Sequence, residues 1–226
     1  MLDNFVLTRS IDSGSMKMIS GSIRANLPHM SLTLAHRKAV QALNYFARQE
    51  GGSINKLKAL KLLFFSDRYH LRKFGRPVSE CAYFAMKHGP VASEAKQIAE
   101  EAQQLSKPAR DYTRKFVRRD GEYAFSSVAY TDATVLSASD REALEFAWQN
   151  FGRFGKYTLR DITHHYPEWQ RHEAKLKTSR RVPIDLADFF KEPDAGYIPC
   201  HPLTDEEREA ALELFRQRQT FAQRWS

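Results

Sequence analysis

Cysteine is nearly missing from this chain. Cys81 and Cys200 are the only two among 226 residues and lie far apart. That excludes a disulfide framework and suits a reducing cytoplasm, the expected location. Long apolar runs are missing as well. The longest clear cluster, Leu62 to Phe65, falls far short of the roughly 20 residues that cross a bilayer, so no membrane partner is expected. There is no CxxC pair and no HExxH spacing. His164, His165 and His172, with Cys200 or His201 as distant ligands, invite a metal reading. His165 and His172 would share a side only if a helix ran on through Pro167, which proline opposes. No metal and no cofactor is expected. Neither GxxxxGK[ST] nor GxGxxG occurs, so nucleotide chemistry lacks its usual phosphate cradle. A Cys–His nucleophile would need Cys81 beside an imidazole such as His88, and an isolated strand cysteine is more often a small core residue. The chain does not read as an enzyme. It also has no internal repeat and no low-complexity tract.

What is present is the composition of a water-soluble globular protein, 42% hydrophobic and 27% charged. The formal net charge is +8, a field that favours an acidic protein surface or a nucleic acid. The cations are spread over Lys56–Arg76, Arg110–Arg119 and Arg171–Arg181 rather than gathered in one block, so charge alone does not choose between those partners. Residues 1–30 are polar and glycine-spotted, carry extra methionines at Met16, Met18 and Met30, and lack the apolar core of a signal peptide. They are expected to be a disordered or leader arm.

The richest stretch is Asn55–Val91. Asn55 is placed to cap a helix after the Gly51-Gly52 break. Leu57, Leu60, Phe64 and Leu71 recur at helical spacing with Leu63 beside them, while Lys56, Lys58, Arg68 and Arg72 lie mostly off that stripe and can reach water. Gly75 stops the helix and Pro77 prevents a restart. Cys81–Met86 reads as a short strand, and His88-Gly89-Pro90-Val91 as a tight turn into the next helix. Asp67 and His70 edge onto the apolar face three residues apart. A buried carboxylate needs partners, and a neighbouring imidazole or a backbone amide would serve.

Around this stretch, Leu34–Gln49 and Ser93–Gln104 read as helices, the second closed by Pro108. Asp120-Gly121 signals a two-residue hairpin between Arg114–Arg119 and Glu122–Ser127. Tyr123 and Phe125 share one face of it, and Phe116 meets them from the other strand. Such a basic, aromatic hairpin could stack on nucleic acid, but more often closes a small core. Ser139-Asp140-Arg141-Glu142 reads as a capping box opening a helix to Phe151. Thr158 with Asp161 starts another short helix, and Pro167 one more, with Trp169 as its buried anchor. Leu186, Phe189 and Phe190 form a small apolar cluster. Pro193, Gly196 and Pro199 mark a loop, and Thr204 with Glu207 cap a final helix. The fold expected is mainly α with a small antiparallel β-hairpin or sheet (α+β), a single compact helical domain at 31–190, with a loop and C-terminal helix over 191–226.

The run LLFFSDRYHLRKFGRPV followed by FAMKHGPV, with LSASDREALEFAWQNFG, TLRDITHHYPEWQ and IDLADFF later in the chain, resembles the SocA-like Panacea domain family over roughly Ser31 to Phe190. The resemblance implies an antitoxin-type protein that binds and neutralises a cognate toxin by contact rather than catalysis, in the setting of a toxin–antitoxin system on a prophage or mobile element. Asp67, His70, Gly75, Pro77, His88, Gly89, Pro90 and Trp169 match the family's pattern, most of them in architectural roles. Arg68, Arg72 and Lys73 are the expected partner-binding residues, with Asp67 and His70 beside them. No helix-turn-helix is read ahead of Leu34, which argues against autoregulation through DNA. A homodimer is a further expected association. The alternative function is a nucleic-acid-associated accessory protein of a mobile element, acting through its basic surface.

Overall fold

A computed structural model describes residues 32–193 and 199–224; the expected N-terminal arm at residues 1–30 and the loop residue Gly196 lie outside them. The chain begins with α1 (Leu34–Gln49), capped by the Thr33 side chain, which accepts from the His36 amide. A short strand β1 (Ser53–Asn55) then leads into α2 (Lys56–Phe74). Asn55 caps α2 as its position suggests, accepting from the Leu57 amide. Gly75 closes it in the left-handed region at φ 70°, donating to the Leu71 carbonyl.

Helix α2 is the axis of the fold. Leu62, Leu63, Phe64, Phe65 and Leu71 are fully buried. Phe65 stacks on Phe151 with ring centroids 3.7 Å apart, and Phe64 meets Phe65, Tyr83, Tyr166 and Phe189 edge-on or tilted. The expectation of a watered polar face on α2 fails. Lys58, Lys61, Arg68 and Arg72 are all buried, because α1, α5 (Ala138–Phe151), α6 (Lys156–His164) and α8 (Asp205–Arg224) all pack around the same helix. A helix enclosed along most of its length must find partners for the cations there inside the protein.

Two three-stranded antiparallel sheets flank this axis. In one, β1 and β4 (Val117–Asp120) lie on either side of β5 (Ala124–Ser127). The β4–β5 loop has three residues, not two, with Gly121 at φ 70°. This puts Phe125 in the core and sends Tyr123 out into the turn. In the other sheet, β2 (Tyr83–Met86) lies between β3 (Gly89–Ala92) and β6 (Arg181–Pro183). The residues after His88 thus form a second hairpin strand before α3 (Ser93–Ala99) begins. Pro90 is tolerated because β3 is an edge.

Helix α3 stops at Ala99, short of the expected Gln104. Pro108 does not close it but opens α4 (Lys107–Arg114), where its missing N–H costs nothing. The capping box of α5 is Ser137 with Asp140, two residues earlier than expected. Helix α6 starts at Lys156 without a side-chain cap. The box on α8, Thr204 with Glu207, forms as expected. Pro167 opens α7 (Pro167–Gln170), and Leu186–Phe190 make a 3₁₀ turn. The architecture is mainly helical α+β. Among the described residues no helix is long and apolar enough to cross a membrane.

Candidate binding cleft

The polar residues that stand out in the sequence are mostly inside. Asp67, buried completely, accepts the Ser79 amide at 2.8 Å, the Tyr83 hydroxyl at 2.7 Å and the Ser79 hydroxyl. Burial lifts its carboxyl to about 6 against the pull of those donors. His70 is not its partner. The His70 ring pairs through Nδ1 with the Arg76 carbonyl at 2.6 Å, and through Nε2 with the Ser139 hydroxyl at 3.0 Å. Asp140 lies 3.4 Å from the same Nε2. Serine, histidine and aspartate therefore meet, but a nucleophilic relay needs serine and aspartate on opposite ring nitrogens. Asp140 is instead a buried acidic hub, within 3.3 Å of Lys38 and 2.9 Å of Arg76. The displaced capping box hid it from sequence reading.

Arg68 and Arg72 correct the expected contact surface. Arg68 is fully buried. It donates to Glu168 Oε1 at 2.5 Å and to the Lys191 carbonyl at 2.5 Å, and lies over the Tyr166 ring. Burial works against its charge and Glu168 more than restores it. Arg72 donates to the carbonyls of His201 (2.9 Å) and Phe189 (3.1 Å) and to the Glu192 carboxylate. Both guanidiniums tie residues 189–192 to α2, and Arg72 ties His201 to it as well, so neither is on a docking face. Of the expected trio only Lys73 is exposed, pairing with Glu142 at 2.5 Å.

The remaining flagged groups are likewise occupied. Burial pushes the Cys81 thiol well up and the Cys200 thiol to about 12, so neither is a ready nucleophile. Trp169 donates to the Met86 carbonyl at 2.8 Å and stacks on His164. Pro77 is buried in the loop after α2. Gly89, at φ 93°, sits so close to Lys61 Nζ and Thr163 Oγ1 that a Cβ would lie 2.6 Å from each. No group of three or more His, Cys, Asp or Glu among the described residues could hold a metal.

The open feature is a cleft of about 350 Å³ at the N-terminal end of α2. Leu57, Leu60, Met86 and Val91 form an apolar floor, and Tyr123 and Tyr157 stand over it. These tyrosines are 64% and 57% exposed, unusual for rings of that size. Lys56, Lys87, Lys96, Lys156 and Arg180 surround the opening with His88; Glu100 is the sole acid among the lining residues. Glu100 is already matched by Lys56 at 2.6 Å and Lys96 at 2.8 Å. These contacts outweigh burial and hold its carboxyl below the usual range. A shallower depression shares Lys87 and Arg180 with the cleft and runs on past Trp169 and Lys177. Sequence reading placed Asn55, Lys56, Leu57, Leu60, His88 and Tyr123 in their local elements without bringing them together. The rest of the lining comes from the β2–β3 hairpin, α3, α6 and Arg180, with no common spacing to announce it.

These features define a class: a helical α+β domain whose conspicuous polar residues build the interior and whose open surface is a basic-rimmed apolar cleft. Residues 60–170 match the family model of the antitoxin SocA-like Panacea domain. The match begins inside α2 and ends in α7, a narrower span than the sequence resemblance suggests, and holds most of the cleft. No curated protein and no solved structure matches the chain.

Proposed function

We propose that this protein is a non-catalytic antitoxin that binds a cognate toxin directly and blocks its active surface. The observation that carries the reading is the Panacea domain at residues 60–170, a domain described as antitoxin SocA-like. The chemistry is consistent with it. The two thiols, the Ser139–His70–Asp140 set and the Arg68–Glu168 pair are each committed to internal contacts, whereas the exposed cleft offers apolar area and charge, the ingredients of a protein interface. Neutralisation by occlusion requires a standard-sized interface with a few strong anchors, and the complex would form in the cytoplasm.

The test is co-expression. A protein encoded beside this gene, toxic alone and harmless with it, and eluting with it as a stoichiometric complex, is the expected result. A toxic neighbour that is neither bound nor neutralised overturns the reading. The alternative, an accessory protein on nucleic acid, draws on the net charge of +8. It predicts oligonucleotide binding that falls steeply with salt as counterions are released.

A further inference from the structure

We propose that the cleft at the start of α2 is the docking site for an acidic segment of the toxin that inserts bulky apolar side chains between Tyr123 and Tyr157. This rests on the antitoxin reading and names the face and the chemistry of the contact. Three observations point to that occupant.

The floor is aliphatic and well shielded, with Leu60 3% and Val91 5% exposed. A cavity of about 350 Å³ lies near the small end of the roughly 300–1,000 Å³ span of ligand pockets, suited to inserted side chains. Around that floor the charge is mainly positive, with Glu122 held to the Tyr123 hydroxyl at its edge. Glu100 is consumed by Lys56 and Lys96, while Lys87, Lys156 and Arg180 stand at the opening, and no carboxylate among the lining residues answers them. Long-range attraction there selects an acidic partner and repels a basic one. Finally, two largely exposed tyrosines stand at the edge of a desolvated floor. Large, stiff rings in that position are the usual anchors of a protein interface. Lys156 and Arg160 both lie about 5.1 Å from the Tyr157 ring, holding cations at its face.

Nucleic acid fits less well. Strand-binding grooves track phosphates with a line of cations and present open aromatic faces, whereas these cations encircle an enclosed aliphatic concavity. The chain's own residues 1–31 carry three cations against two anions and offer no charge match. The shallow depression that shares Lys87 and Arg180 is lined by three cations against one acid, Glu173, and gives an acidic segment room to continue beyond the anchored side chains.

The experiment uses the full chain and two arms. In the first, a fluorescein-labelled peptide with glutamates flanking two leucines and a phenylalanine is titrated against its counterpart with lysine in place of each glutamate. The acidic peptide should bind about tenfold more tightly or better. Lys87→Glu/Lys156→Glu should erase that preference, and Tyr157→Ala should weaken binding severalfold with an unchanged melting curve. Equal affinity for both peptides, or variants that bind as wild type does, overturns the proposal. So does displacement of the acidic peptide by a single-stranded oligonucleotide, or by a peptide of residues 1–31, at a lower concentration than unlabelled acidic peptide requires. In the second arm, the neighbouring toxin is co-expressed with each variant. Loss of neutralisation by Lys87→Glu/Lys156→Glu, with Lys87→Arg/Lys156→Arg still protective, supports the docking site. Full protection by the charge-reversed variant sinks the docking site and leaves the antitoxin reading standing. A wild-type chain that fails to protect sinks that reading first.

Discussion

Between Lys56 and Leu60, α2 turns lysine and leucine toward an open cleft; between Ser66 and Arg72, the same helix carries an acid, a histidine and two arginines that hardly meet water. Both halves are strongly basic in sequence, and what separates them is enclosure. The C-terminal half lies under α5, α8 and residues 186–192, so every charge there is answered by a residue distant in sequence: Arg68 by Glu168, Asp67 by Ser79 and Tyr83, Arg72 by Glu192. At the N-terminal end Lys56 and Lys58 are paired as well, with Glu100 and Glu50, but the cleft beside them adds Lys87, Lys156 and Arg180, for which no lining carboxylate is left. A charge with an internal partner is architecture, and a charge at a rim without one is available for recognition.

The largest effect should come from breaking the most enclosed pair. Glu168→Ala leaves Arg68 charged and buried, and is expected to cost about 3–5 kcal/mol in urea unfolding. Arg68→Met with Glu168→Leu should recover most of that loss, since a buried ion pair is weak evidence of net stabilisation. If the double variant is no more stable than Glu168→Ala, the pair is worth more than its desolvation cost.

Asp67 sharpens the same contrast through pH. Asp67→Ala strands three buried donors and should cost about 3 kcal/mol, with Asp67→Asn milder because the Ser79 and Tyr83 hydroxyls can turn to suit an amide. The folded carboxyl titrates at about 6 against an ordinary 3.8. Above pH 6 it is ionised in both states and its burial is a full cost. As pH falls from 6 toward 3.8 only the folded state takes up the proton, so stability rises. Relative to Asp67→Asn, the wild type should gain about 2 kcal/mol between pH 7 and 4. The lowered His70 pKa works the other way, removing stability as the pH falls below 6.5. The difference between wild type and Asp67→Asn isolates the aspartate.

Gly89 stands at the seam between the two environments, one residue from the cleft's His88 and directly over the buried Lys61. Gly89→Ala must accept both a left-handed backbone and a Cβ crowding Lys61 Nζ and Thr163 Oγ1, and should cost about 2 kcal/mol in thermal unfolding. A neutral result would mean that the Lys61 side chain can withdraw from the Pro90 carbonyl, now 2.7 Å away.

How much of this was readable follows the same division. The bounds of α1 and α2 and the caps of α2 were legible because local chemistry sets them: Asn55 and Gly75 act within a few residues, whereas the Thr33 cap of α1 was missed. The similarity to the Panacea domain, matched over residues 60–170, was legible from the order of several short motifs. The fates of Arg68 and Arg72 were not. Helical spacing shows which residues share a face, but not that the opposite face will also be covered, and Glu168 and the Lys191 carbonyl are far along the chain. The cleft was illegible for a related reason. Its Lys56, Lys87, Lys96, Lys156 and Arg180 are unremarkable one by one and become a rim only when two hairpins and three helices converge.

The smallest expected change in stability comes from the cleft, and it is the most discriminating. Lys87 is exposed in the β2–β3 turn, and Lys156 is the first residue of α6. Neither has an ion-pair partner among the described residues, and a glutamate at the start of α6 would suit the positive end of that helix. Lys87→Glu/Lys156→Glu should therefore unfold within about 0.5 kcal/mol of wild type. If these lysines belonged to the architecture, as Arg68 does, reversing them would cost several times that. A variant that keeps its full stability while its preference for acidic peptides disappears separates the cleft rim from the buried half of α2 by experiment: the buried half fixes the fold, and the rim is left free to bind.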